Sequence, residues 1–182
     1  MESYKSKIIT IPNILSLLRL LLIPLMMWLY CVKKDYVMTA LVLIISGATD
    51  IIDGFIARRF NMISDFGKAL DPIADKLTQI GMIVAISTHY PKMLLPVVLL
   101  IIKEVSAGIT NLVIIKRKHQ VNGAMWHGKL TTVILYAMIF LHIVWADIPN
   151  AVSTSLIVLS VLMMLISCVM YMKKNIKILK AK

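Results

Sequence analysis

The chain has 182 residues, of which 59% are hydrophobic and only 16% charged, with a mean hydropathy of +0.86. Soluble domains average roughly 45–50% apolar and about a quarter charged, so this composition excludes an ordinary water-soluble globule and a disordered chain. Twenty Lys and Arg against nine Asp and Glu give +11, which in so apolar a chain points to orientation against anionic lipid and not to nucleic acid.

A membrane-spanning helix needs about 20 mostly apolar residues. Six stretches meet that requirement: residues 14–32, 36–57, 70–88, 94–115, 130–145 and 151–172. The fifth is short, so its helix is expected to start inside the preceding loop. No small-residue cleavage site follows the first stretch, which therefore does not read as a signal peptide. The expected fold class is all-α: a polytopic integral membrane protein of six transmembrane helices. It forms one domain over residues 1–182, with a juxtamembrane N-terminus at 1–12 and a basic tail at 173–182. Cys31 and Cys168 lie in apolar runs without metal or disulfide spacing and read as small hydrophobes.

The basic residues orient the bundle. One side carries Lys5 and Lys7, then Arg58, Arg59 and Lys68, then Lys116, Arg117, Lys118 and Lys129, and a lysine-rich tail that ends in Lys182. That side holds fourteen basic residues against three on the other, Lys33, Lys34 and Lys92. Both termini are therefore expected to be cytoplasmic, in a multi-pass protein of the cell membrane. The run Lys116–His119 reads as an anchor to anionic lipid. Trp28, Trp126 and Trp145 read as interface anchors, and His89 and His142 as interfacial. Arg19, Lys76 and Lys103 fall inside apolar runs, where a charge costs roughly 2.5–3.5 kcal/mol and normally faces a polar cavity or partner.

The acids are concentrated. Five of the nine fall between positions 50 and 75: Asp50, Asp53, Asp65, Asp71 and Asp75. Asp50 and Asp53 share a helical stripe with Ala57 and Arg58, while Gly67, Asp71 and Asp75 recur every four residues on one face. The intervening turn makes these two helices antiparallel neighbours, so both carboxylate pairs are expected to meet at the cytoplasmic end of one interhelical cavity. Four carboxylates in a low dielectric need neutralising cations. Oxygen-only ligands suit hard divalent ions such as Mg²⁺ or Mn²⁺, and four can bridge two of them, an arrangement suited to phosphoryl transfer. Gly54 and Gly67, bare of side chains, would permit close approach of a helix or a phosphorylated ligand. Asp65 fits no metal position and reads as a loop or cap residue.

The string Asp50-Ile-Ile-Asp53-Gly54-Phe-Ile-Ala57-Arg58, eight further residues, then Gly67-Lys-Ala-Leu-Asp71-Pro-Ile-Ala-Asp75 resembles the signature of the CDP-alcohol phosphotransferase family. That signature reads D-x-x-D-G-x-x-A-R-x(8)-G-x-x-x-D-x-x-x-D, and every defined position is matched. Residues 11–19, Ile-Pro-Asn-Ile-Leu-Ser-Leu-Leu-Arg, look like the first-helix opening of the family's glycerol-3-phosphate branch.

The resemblance implies an enzyme of phospholipid biosynthesis that moves a phosphatidyl group from CDP-diacylglycerol to an alcohol and releases CMP. It implies that Asp50, Asp53, Asp71 and Asp75 hold two divalent cations, Mg²⁺ or Mn²⁺, with Asp75 also the catalytic base. It assigns Asn13, Ser16, Gly54, Ala57, Arg58, Ser64 and Gly67 to the CDP-lipid, and it suggests a homodimer with its active site facing the cytoplasm. Lys103, before Glu104, and Lys129, after Gly128, match places where basic groups hold an acceptor phosphate; Lys103 stands where the branch has Arg. Glycerol-3-phosphate is the leading acceptor and phosphatidylglycerol the alternative. A tight basic pocket around Lys103 and Lys129 would favour the first, and a wide apolar one the second. A cation pathway through the aspartates is the reading from a different class.

Overall fold

The computed structural model describes residues 10–60, 62, 64–118, 125–145 and 147–180; Lys5, Lys7, His119 and Lys182 lie outside them, as do the side chains of Asp65, Lys68 and residues 115–118. Six long helices account for nearly all of it: α1 (Ile11–Trp28), α2 (Tyr36–Arg59), α3 (Asp65–Ser87), α4 (Leu94–Lys118), α5 (Trp126–Val144) and α6 (Asn150–Lys180). A π-helical turn, Leu29–Lys33, extends α1, and a short 3-10 turn, Pro91–Met93, leads into α4.

Local chemistry sets the helix starts. The Thr10 hydroxyl accepts from the Asn13 N–H at α1, Asp35 accepts from the Met38 N–H at α2, and Ser64 accepts from the Gly67 N–H at α3. Between α1 and α2, Lys34 takes the left-handed conformation (φ 53°, ψ 31°) that closes the turn. Because the Ser64 cap fixes it, α3 begins at Asp65, ahead of the apolar stretch expected from residue 70. Likewise α5 begins at Trp126, and α6 continues to Lys180, so most of the expected tail is helix.

Five segments are long and apolar enough to cross a membrane: Ile11–Lys33, Tyr36–Arg59, Pro91–Ile114, Trp126–Val144 and Asn150–Ile176. This is a multi-pass membrane architecture. Helix α3 is of similar length but carries Asp65, Lys68, Asp71, Asp75 and Lys76, which lower its hydropathy. Large apolar side chains such as Leu21, Val37, Ile51 and Leu112 point outward, whereas Arg19, Asp53, Gln79, Lys103, His127 and His142 are buried. That inversion is what a lipid solvent selects, since polar groups there must find partners inside the protein.

Helix α1 packs closely against both α2 and α3, which are not a closely packed pair themselves. The expected direct α2–α3 pairing is thereby corrected: α1 stands between them. Small residues at Gly67, Ala74 and Gly81 recur along α3, and a Cβ at Gly81 would lie 2.7 Å from Ile23 of α1, so this face permits a tight approach. The apolar core (Met26, Tyr30, Leu43, Met82, Ile86, Leu135 and Ile139 among others) fills one half of the bundle. The polar face of α1, with Asn13, Ser16 and Arg19 all buried, fills the other. A second expectation is sharpened. His142, in the last turn of α5, faces the protein interior and not lipid, its Nε2 2.9 Å from the Ser153 hydroxyl and its Nδ1 2.8 Å from the Met138 carbonyl.

Candidate active site

The first turns of α1 and α3 meet the last turns of α2, which brings most of the signature residues to one end of the bundle. Asn13, Ser16 and Arg19 follow one another at helical spacing on α1, and each reaches a different part of the signature. The Asn13 amide donates to the Ser64 hydroxyl at 2.9 Å, and that hydroxyl also caps Gly67 at 2.9 Å. A Cβ at Gly67 would fall 2.4 Å from the Asn13 Oδ1, so only glycine lets α3 start this close to α1. The Ser16 hydroxyl lies 2.5 Å from the Asp71 Oδ1 and 3.5 Å from the Asp53 Oδ2, linking the acids of α3 to those of α2. Arg19 extends its guanidinium to both acids of α2, with Nη1 2.5 Å from the Asp50 Oδ1 and Nη2 2.6 Å from the Asp53 Oδ2.

Asp75 stands one turn further along α3, in its own set of partners. Its Oδ1 accepts from the Tyr136 hydroxyl of α5 at 2.7 Å; its Oδ2 lies 3.5 Å from the Gln79 amide and 3.6 Å from the Lys76 ammonium. Lys76 is also 3.6 Å from Glu104 of α4, whose Oε1 accepts from Lys103 at 2.7 Å. This chain of charges opens into a cavity of about 260 Å³ lined by Lys76, Lys103 and Lys129, with Glu104, Asn111 and Thr132. Three ammonium groups against one carboxylate make it a basic, anion-accepting space. Arg58 folds back over Gly54, where a Cβ would lie 3.4 Å from its guanidinium; Arg58 is exposed and Ala57 half-buried beside it.

Asp50, Asp53 and Asp71 are thus gathered through Ser16 and Arg19, with Asp75 set apart. Among the described residues, no three His, Cys, Asp or Glu side chains converge as a ligand group. The donor chemistry nonetheless fits hard divalent ions: four carboxylates on two helices and no competing sulfur or imidazole. Asp50 retains 49% side-chain exposure and is open to an incoming cation. Arg19 and Lys76 read in the sequence only as buried charges in need of partners, and the partners are these aspartates and Glu104. Tyr136 carries no signal of its role in the sequence, because its partner, Asp75, lies on a helix 61 positions away.

The sequence profile of the CDP-alcohol phosphatidyltransferase family matches residues 9–173. A CDP-diacylglycerol–glycerol-3-phosphate 3-phosphatidyltransferase of Aquifex aeolicus is 28% identical over 175 residues, covering 93% of this chain and 97% of its own length. A cardiolipin synthase (CMP-forming) of Streptomyces coelicolor is 41% identical over 86 residues, 44% of this chain and 40% of its own. A protein of Rickettsia typhi with the same name as the Aquifex one is 39% identical over 69 residues, 37% of this chain and 39% of its own.

Proposed function

The chain belongs to the CDP-alcohol phosphatidyltransferase family, and we propose that it transfers the phosphatidyl group of CDP-diacylglycerol to glycerol-3-phosphate in phospholipid biosynthesis. A hydroxyl oxygen of the acceptor forms a bond to the phosphatidyl phosphorus. The bond from that phosphorus to the CMP oxygen breaks, and the acceptor proton passes to a base. CMP leaves with the electron pair.

Asp50, Asp53, Asp71 and Asp75 would hold two divalent cations, Mg²⁺ or Mn²⁺. When bound, such ions neutralise charge on the diphosphate and the leaving group. Arg58, a planar cationic fork over the bare backbone at Gly54, suits the diphosphate. Asn13, Ser16, Ala57, Ser64 and Gly67 complete the nucleotide side. Asp75 takes the proton: Tyr136 occupies its Oδ1, and Oδ2 faces the lysine cavity through Lys76. Lys103 and Lys129, joined by Lys76, hold the acceptor phosphate.

The observation that carries the acceptor assignment is that cavity, lined by three lysines. Glycerol-3-phosphate presents a phosphate dianion, which gains most from a cavity lined by three lysines. Phosphatidylglycerol presents a singly charged diester with two acyl chains, and it is the second reading because of the Streptomyces coelicolor relative. Purified protein with CDP-diacylglycerol and Mg²⁺ or Mn²⁺ is expected to release CMP with glycerol-3-phosphate. Faster release with phosphatidylglycerol would reverse the assignment.

We further infer that α3 is the sixth span, its charges screened from lipid by the helices around it, and that both termini and the active site face the cytoplasm. The fourteen-to-three distribution of Lys and Arg supports this orientation. The family resemblance supports a homodimer, and the apolar spans support the cell membrane as its site. Labelling of single cysteines at positions 34 and 173 from either side of the membrane tests the orientation.

A further inference from the structure

We propose that Arg19 is a resident counter-cation for the Asp50–Asp53 pair, neutralising it in the metal-free protein. Arg19 is 1% exposed and Asp53 2%, so neither charge is compensated by water. Asp50 and Asp53 are three residues apart on one stripe of α2, and side by side they repel at any pH where both are ionised. The guanidinium answers both at once, one terminal nitrogen to each carboxylate, at 2.5 and 2.6 Å. A planar fork directs a separate nitrogen at each carboxylate, whereas an ammonium offers both a single point charge. The Arg19 Nη2 donates to Asp53, while the buried Nε has no hydrogen-bond partner, so its polar contacts are with the aspartate pair. Position matters too: α1 stands between α2 and α3, and one turn before Arg19 the Ser16 hydroxyl ties Asp53 to Asp71. Arg19 thereby holds the acids of α2 in a fixed alignment, and a divalent ion that binds them takes over a charge the protein has been supplying. The second half of this statement rests on the metal reading above; the first does not.

Thermal unfolding of the full chain in detergent micelles tests both halves. In EDTA, Arg19→Met is expected to lower Tm by on the order of 10 °C, because it strands the buried Asp53 beside an unpaired Asp50. Adding Asp53→Asn to Arg19→Met is expected to restore at least half of that loss, since the buried stranded charge is gone and Asp50 is half exposed. An Arg19→Met protein as stable as the wild type in EDTA would overturn the proposal, and so would a double variant no more stable than the single. Should Arg19→Met fail to fold, a folded double variant supports the proposal and an unfolded one overturns it. With Mn²⁺ the rise in Tm is expected to be about twofold larger in Arg19→Met than in the wild type, as the ion replaces the missing cation; an equal rise overturns the exchange. A wild-type protein whose Tm Mn²⁺ leaves unmoved refutes the metal reading alone, and the EDTA comparison still decides the role of Arg19.

Discussion

Tyr136 of α5 donates a 2.7 Å hydrogen bond to one carboxylate oxygen of Asp75 on α3, across 61 positions of sequence. A base held by one oxygen presents the other in a fixed direction. Asp75→Asn is expected to lower kcat by at least about 10³-fold, as removal of a general base does. Tyr136→Phe keeps the ring and loses only the hydroxyl, so a fall of roughly 10–100-fold in kcat is expected, with KM for both substrates near the wild-type value. Steady-state release of CMP measures both. Full turnover by Asp75→Asn would remove it as the base.

The lysine cavity makes a separate claim about the acceptor. Lys103 is buried against Glu104, whereas Lys129 is exposed at the rim. A charge-assisted contact to phosphate is worth about 1.5–3 kcal/mol, or roughly 10–150-fold in binding. Lys129→Ala and Lys103→Met are therefore expected to raise KM for glycerol-3-phosphate within that range, while KM for CDP-diacylglycerol stays unchanged. Lys103→Met also leaves Glu104 to be neutralised by Lys76 alone, which draws a second ammonium away from the phosphate, so its effect is expected to be the larger of the two.

Much of this arrangement is legible in the sequence, and the remainder is illegible for a physical reason. Hydropathy locates the helices because lipid requires long apolar runs, and the aspartate spacing announces the site because acids in such runs are costly. Helix α3 starts earlier than its hydropathy suggests because a hydroxyl cap, Ser64, and not an apolar residue, defines its end. The order of helices around the site is a tertiary fact: α1 lies between α2 and α3 although the loop joining the latter two is short. Buried charges such as Arg19 and Lys76 declare that they need partners without saying which. Tyr136 and His142 declare nothing, since an aromatic or a histidine in an apolar run reads equally well as packing.

Gly67 is where the backbone of α3 comes close to α1, on the side proposed to hold the nucleotide. A methyl group there would sit 2.4 Å from the Asn13 Oδ1 and 3.1 Å from the Ser64 hydroxyl that caps α3. Gly67→Ala is expected to cost about 1–3 kcal/mol of stability, as overpacking does, and to lower activity through the displaced Asn13 and Ser64. Trimming the obstructing side chain relieves the clash, so Asn13→Ala in the Gly67→Ala background is expected to recover part of the lost Tm but not the activity. Thermal unfolding and CMP release on the same preparations separate the two effects. A Gly67→Ala protein of wild-type stability would show that α1 yields freely at this contact.

The pair His142–Ser153 lies in the half of the bundle away from the aspartates and predicts stability without catalysis. A carbonyl can only accept, so the His142 Nδ1 carries the proton given to Met138, and its Nε2 accepts from the Ser153 hydroxyl. The imidazole is 1% exposed, and the Tyr90 ring meets it edge-on with centroids 5.2 Å apart. Ser153→Ala leaves the Nε2 lone pair buried without its donor, and a loss of about 1–3 kcal/mol is expected. His142→Phe fills the ring space but leaves the Ser153 hydroxyl unsatisfied, and the expected loss is of similar size. Because both variants remove one end of the same interaction, the double variant Ser153→Ala/His142→Phe is expected to be more stable than the sum of the single losses. Tm in detergent measures all three, and kcat measured below the new Tm is expected to match the wild type. Strictly additive losses would mean that the two side chains contribute separately, and the hydrogen bond nothing.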